Sequence, residues 1–195
     1  PDFQPRNPKD DQIYRIIDIS DPTKPYEKGR WWYPGTREGD VAPPPPRLPA
    51  QFDTGFRAHN TNVFPQRPDR AYVGYIDGGA IVLDISNPAD IKMVSHWNHS
   101  PPFNGFTHTV LPLFERNLWI VSDECVQDDG KDWPKLVWVV DSRTDANPLP
   151  IGTFPAPPYD TFAKRGGRFG AHNLHENLPV PCSFRSETLF IGTFL

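Results

Sequence analysis

Three histidines, His59, His108 and His172, stand in one short context, AHN, THT and AHN. They are separated by 49 and 64 residues. Brought together, neutral imidazoles suit a divalent transition metal such as Zn, Fe or Cu, and an added carboxylate extends the choice to Mn. Carboxylates stand close to equivalent places further along. Aligning AYVGYID with LWIVSDE matches Asp77 to Glu124. Either can serve as a ligand, as a partner that orients an imidazole, or as a general base. The densest stretch is FGAHNLHEN, residues 169 to 177, with His172, His175 and Glu176. On a strand, side chains alternate between faces. His172 and Glu176 then share one face, and His175 takes the other. Arg57, Arg165 and Arg168 lie just before a histidine of this set. Arg57 and Arg168 in particular can ring a site and draw in a small anionic molecule.

Residues this far apart in the chain need a scaffold that returns them to one place. No segment carries a convincing helical period. Short apolar runs rich in β-formers alternate with Pro, Gly, Asn and Asp instead. Three of them close alike, YRIIDISDP, AIVLDISNP and VWVVDSRTD, on Asp18, Asp84 and Asp141. An Asp at a strand end accepts N–H bonds from the following turn, so these three are expected to be structural. Upstream of each full repeat, a strand carrying the histidine leads into an apolar strand: AYVGYID, LWIVSDE or LFIGTFL.

Joined, the two phases make a unit of four antiparallel strands. Four-stranded units at this spacing predict an all-β chain folded as a β-propeller. The units run over about 55–100 and 105–155, with half-units at 12–34 and 169–195 and a Pro-rich loop at 35–54. About three blades are present, against the ~4–8 of typical propellers. The expectation is a part of a larger propeller, or a homo-oligomer in which two copies complete each other. The innermost strand of each blade lines the central channel. Equivalent histidines in different blades should therefore meet at its mouth.

AYVGYIDGGAIVLDISNP, residues 71 to 88, resembles the LVIVD repeat of propeller proteins. The order SPPF, THT, DE, TFP and GAHNLHEN is similar to an uncharacterised bacterial branch of that family. A more distant similarity links the chain to selenium-binding, methanethiol-oxidising propellers. Those carry histidines near the axis and a proposed metal. The resemblance implies a fold and leaves activity open.

The composition narrows the classes. Net charge is −4 with mixed signs, and no basic run stands out, which argues against nucleic acid. No apolar run reaches the ~18 residues of a membrane span. Aromatics at 13% indicate a packed chain, and 25 prolines favour short strands joined by stiff loops. Cys125 and Cys182 read as two free thiols, with a single disulfide as the alternative. His96 and His99 are expected at the periphery. Trp31, Trp32 and Trp97 are expected to pack between blades. Two functions stay open: a metal-dependent enzyme at the channel mouth, or a non-catalytic scaffold that binds proteins or glycans. Cytoplasmic and secreted locations both fit.

Overall fold

A computed structural model describes residues 3–175, 181, 186, 188 and 192–194. Two antiparallel four-stranded sheets form its centre. They follow a first strand pair, β1 (Tyr14–Asp18) and β2 (Tyr26–Trp31). The first sheet runs β3 (Thr61–Phe64), β4 (Arg67–Tyr75), β5 (Gly79–Asp84), β6 (Lys92–Trp97), each strand beside the next. The second repeats that order with β7 (Thr107–Leu113), β8 (Leu118–Asp123), β9 (Val137–Asp141) and β10 (Leu149–Thr153). After one helical turn, α1 (Tyr159–Phe162), comes a last pair, β11 (Ala171–Leu174) and β12 (Gly192–Phe194). This is an all-β propeller: two full blades flanked by an outer strand pair at one side and an inner pair at the other. No helix among the described residues is long and apolar enough to cross a membrane.

The turns explain the recurring aspartates. Asp18 Oδ1 accepts the Ser20 N–H and hydroxyl at 2.9 and 2.6 Å. Asp84 does the same for Ser86 at 3.0 and 2.6 Å. Asp141 accepts the Arg143 N–H at 3.0 Å and its guanidinium. These bonds hold all three carboxyls below the usual range. The contact spans two residues, so it forms wherever this tripeptide occurs.

Alternation along the first blade sorts its residues into two cores. Ala71, Val73 and Tyr75 of β4, with Ile81 and Leu83 of β5, pack on Tyr14 and Trp31 of the preceding pair. Tyr72, Ala80 and Val82 face the second blade, where Val110, Trp119, Val121 and Trp138 wait. A blade buried on both faces reads as a nearly continuous apolar run, as IVLD does. Trp31 and Trp97 pack between blades as expected. Trp32 does not. It lies beyond β2, packs tilted against Phe3 at 4.5 Å and donates to Asp40 at 3.0 Å.

Candidate metal centre

His59 stands just before β3, where its N–H donates to the Gly74 carbonyl at 2.9 Å. His108 occupies a β-bulge. Thr107 pairs with Asp123 and Thr109 with Ser122, so His108 has no partner across the ladder. A bulge turns one side chain away from the alternation of its strand. His172 lies in β11, in the next blade. The three rings form a row, His59 tilted against His108 at 4.5 Å between centroids and His108 edge-on to His172 at 4.6 Å.

Glu124, one residue past β8, meets this row. Its Oε2 is 3.8 Å from His108 Nε2 and its Oε1 is 3.7 Å from His172 Nε2. One ligand atom each from His59, His108 and Glu124 lies within 4.8 Å of the others. Arg168 donates to Glu124 Oε1 at 3.2 Å. Thr109 Oγ1 sits 2.7 Å from His108 Nδ1 and accepts from Asn60 at 3.2 Å. When His108 Nδ1–H donates to that hydroxyl, the lone pair of Nε2 is left toward Glu124. Burial, and then the neighbouring His59 and His172, push the His108 imidazole down to about 3. Burial lowers His59 as well. Both rings are therefore neutral at physiological pH, as metal ligands must be.

The second predicted acid goes elsewhere. Arg70 pairs with Asp84 and Leu118 with Asp141, so the two blades align with Gly74 opposite Ser122. Glu124 then matches Ile76, one residue short of Asp77. A one-residue shift turns a side chain to the other face. Asp77 accepts the N–H groups of Thr54 and Gly55 at 2.9 and 2.7 Å and the Thr54 hydroxyl at 2.7 Å. It fastens the end of the Pro-rich loop. Burial outweighs these bonds and pushes its carboxyl up to about 6.

The same alignment exposes a contact between blades. A Cβ on Gly74 would sit 1.9 Å from the His108 carbonyl oxygen. At the equivalent place, Ser122 Oγ donates to the His172 carbonyl at 2.6 Å. The histidines thus join the blades through their main chains. Their rings stay turned toward one another and Glu124.

Arg57 Nε lies 2.9 Å from Asp11 Oδ1, and the Arg57 charge reaches His59 and lowers it further. Other expectations need correction. His99 is not peripheral. Its ring is buried among Trp97, Phe103 and Trp138, with Nε2 3.1 Å from Asp123 Oδ1. His96 bonds the Gly78 carbonyl at 2.7 Å. Sequence reasoning also passed over Lys135, 1% exposed, which donates to the Gly105 carbonyl at 2.8 Å and lies 3.6 Å from Asp132. Asp132 in turn accepts from Cys125 Sγ at 3.2 Å. Cys125 is a free, buried thiol pushed up to about 11 by burial, and therefore inert. No sequence signal marked these pairings, which cross an insertion peculiar to one blade. Glu176 and Cys182 lie outside the described residues.

Comparison with known families agrees with this architecture. Residues 11–32 and 69–98 match the LVIVD repeat. The chain is similar to LVIVD-repeat proteins over those two segments. The matched segments span β1–β2 and most of β4 through β6, so the repeat unit centres on the Asp-Ile-Ser turn. No curated protein matches the chain.

Proposed function

We propose that this LVIVD-repeat propeller is a metal-dependent enzyme acting on a small anionic molecule at its channel mouth. His59, His108 and His172 are the proposed ligands of one divalent transition metal, Zn, Fe, Cu or Mn. Glu124 is a fourth ligand or the general base. The observation that supports this reading is the gathering of imidazoles from three blades around one carboxylate. Two ligand atoms, each ~2.0–2.1 Å from an ion, are at most about 4.2 Å apart. The 3.7 and 3.8 Å separations fall within that limit, and the ligand atoms of His59, His108 and Glu124, within 4.8 Å of one another, would draw slightly closer around an ion. The donor set of imidazoles and a carboxylate also matches these metals.

Bound there, a metal would supply Lewis-acid or redox chemistry. The chain's own part follows from the contacts. Thr109 holds the His108 ring in place. Arg168 neutralises Glu124 and, being 47% exposed, offers its remaining donors to an incoming anion.

Metal analysis of the purified protein tests it. About one equivalent of a transition metal is expected, with a large loss in His108→Ala. Absence of bound metal, together with no uptake of Zn, Mn, Fe or Cu on titration, would overturn it. A scaffold role for protein or glycan partners is the second reading. The main-chain contacts of His108 and His172 with the preceding blade favour it, because they ask nothing of the rings. Under that reading His108→Asn keeps full stability and partner binding.

A further inference from the structure

Arg37 is 2% exposed and forms no ion pair among the described residues, and its Nε has no hydrogen-bond partner. Burying a lone charge is costly, so such groups are normally paired. The nearby acids are already committed. Both Asp10 oxygens accept from Arg47 Nη1, at 2.7 and 3.0 Å, and Oδ1 also accepts the Phe56 N–H at 2.8 Å. Asp11 pairs with Arg57. Asp40 caps Gly35 and the Arg37 backbone N–H at 2.8 and 3.0 Å, and binds Trp32. Desolvation lowers the Arg37 guanidinium, and the fields of these acids offset it only in part.

The main chain around Arg37 is firmly held. Arg6 N–H donates to the Thr36 carbonyl and Glu38 N–H to the Gln4 carbonyl, each at 2.9 Å. Pro5 bridges Arg37 itself. Arg37 lines a cavity of about 400 Å³ with Phe3, Gln4, Asp11, Arg15 and Arg30. Arg15 and Arg30 share a single carboxylate, Glu27. Arg30 lies over the Phe3 ring at 5.1 Å. Arginine outnumbers acid on this wall by three to one. None of these residues belongs to the histidine–glutamate cluster.

We infer that this cavity is a second binding site, taking a small molecule through a phosphate or carboxylate group that Arg37 receives. The group supplies the counter-charge that the described residues do not give Arg37. Arginine's planar fork matches such oxyanions, and Arg15 and Arg30 widen the positive wall. The volume suits a metabolite-sized ligand.

Calorimetric titration and thermal shift of the whole chain test the site, with inorganic phosphate in one arm and malonate in the other at constant ionic strength. Saturable binding of at least one anion is expected, and the arm that binds identifies the group. Arg37→Met should weaken it at least 10-fold. Unliganded Arg37→Met should melt no lower than wild type, because the variant removes an unpaired buried charge. Arg15→Gln with Arg30→Gln changes more exposed positions and should weaken binding at least 3-fold. Two results would overturn the inference. One is no saturable binding of either anion. The other is an Arg37→Met variant that responds like wild type, as a general salt effect would produce.

Discussion

The inner hairpins of the two blades differ by one residue at the end of their second strand. In one, the chain leaves β4 as Ile76-Asp77. In the other, it leaves β8 as Asp123-Glu124. Asp77 turns to a loop and holds two backbone N–H groups. Glu124 turns to three histidines. The same chemical group is thus a staple in one blade and a candidate ligand in the next. Strand alternation gives each position only two directions, so a single step in register is enough to change the role. Repeats preserve the framework, and the ends of their strands are where new chemistry can be introduced.

The sharpest way to break the comparison is through metal affinity. Glu124→Gln should weaken Zn or Mn binding by about 100-fold or more in a competitive chelator titration, whereas Asp77→Asn should change it less than 2-fold. Equal effects would erase the distinction between the two acids.

Their pH responses should oppose each other. His108 titrates near 3 in the fold against an ordinary 6.5. Between those values the unfolded chain holds more protons, so its contribution is present above about 6.5 and is lost as pH falls toward 3. The loss is on the order of 5 kcal/mol once the pH reaches the folded value. Asp77 is raised from 3.8 to about 6. Within that window the folded chain holds more protons, so stability from this group is lost as pH rises toward 6. Urea denaturation across pH should show His108→Gln flattening the acid-side loss, and Asp77→Asn removing the opposite slope.

At neutral pH, Asp77→Ala should destabilise by about 2–3 kcal/mol, since the Thr54 and Gly55 N–H groups lose their acceptor. Glu124→Gln should cost under about 1 kcal/mol in the same urea experiment, because the amide keeps an acceptor oxygen and Arg168 and His172 reach water. A large cost at Glu124 would recast it as structural.

The smallest contrast tests the contact between blades. Gly74→Ala forces a Cβ against the His108 carbonyl and should cost about 1–3 kcal/mol. Ser122→Ala removes one hydrogen bond and should cost about 1 kcal/mol. Thermal melts of both variants check the order.

The Asp-Ser turns were legible in the sequence because their hydrogen bonds close within two residues. The equivalence of His59 and His108 was legible because it is a repeat register. Sequence alignment sets Asp77 opposite Glu124, one step away from the register the strands adopt. Bulges at Val63/Phe64 and at Thr107/Thr109 change the residue count along the neighbouring strands, and composition does not announce them. His99 was placed at the surface because a loop after a strand usually lies there. Its burial depends on Trp138 and Asp123 of the next blade, which no local pattern reveals.

The sequence by itself determined the all-β class, the four-strand repeat, the turn aspartates and the shared position of the histidines. Each of these is written in local periodicity or in short-range hydrogen bonds. Only the tertiary structure decided which carboxylate meets the imidazoles, that the blades meet through histidine carbonyls, and that Arg37 is buried without an ion-pair partner among the described residues. Those outcomes depend on register between strands and on contacts between distant segments, where one extra residue in a strand reverses the direction of a side chain.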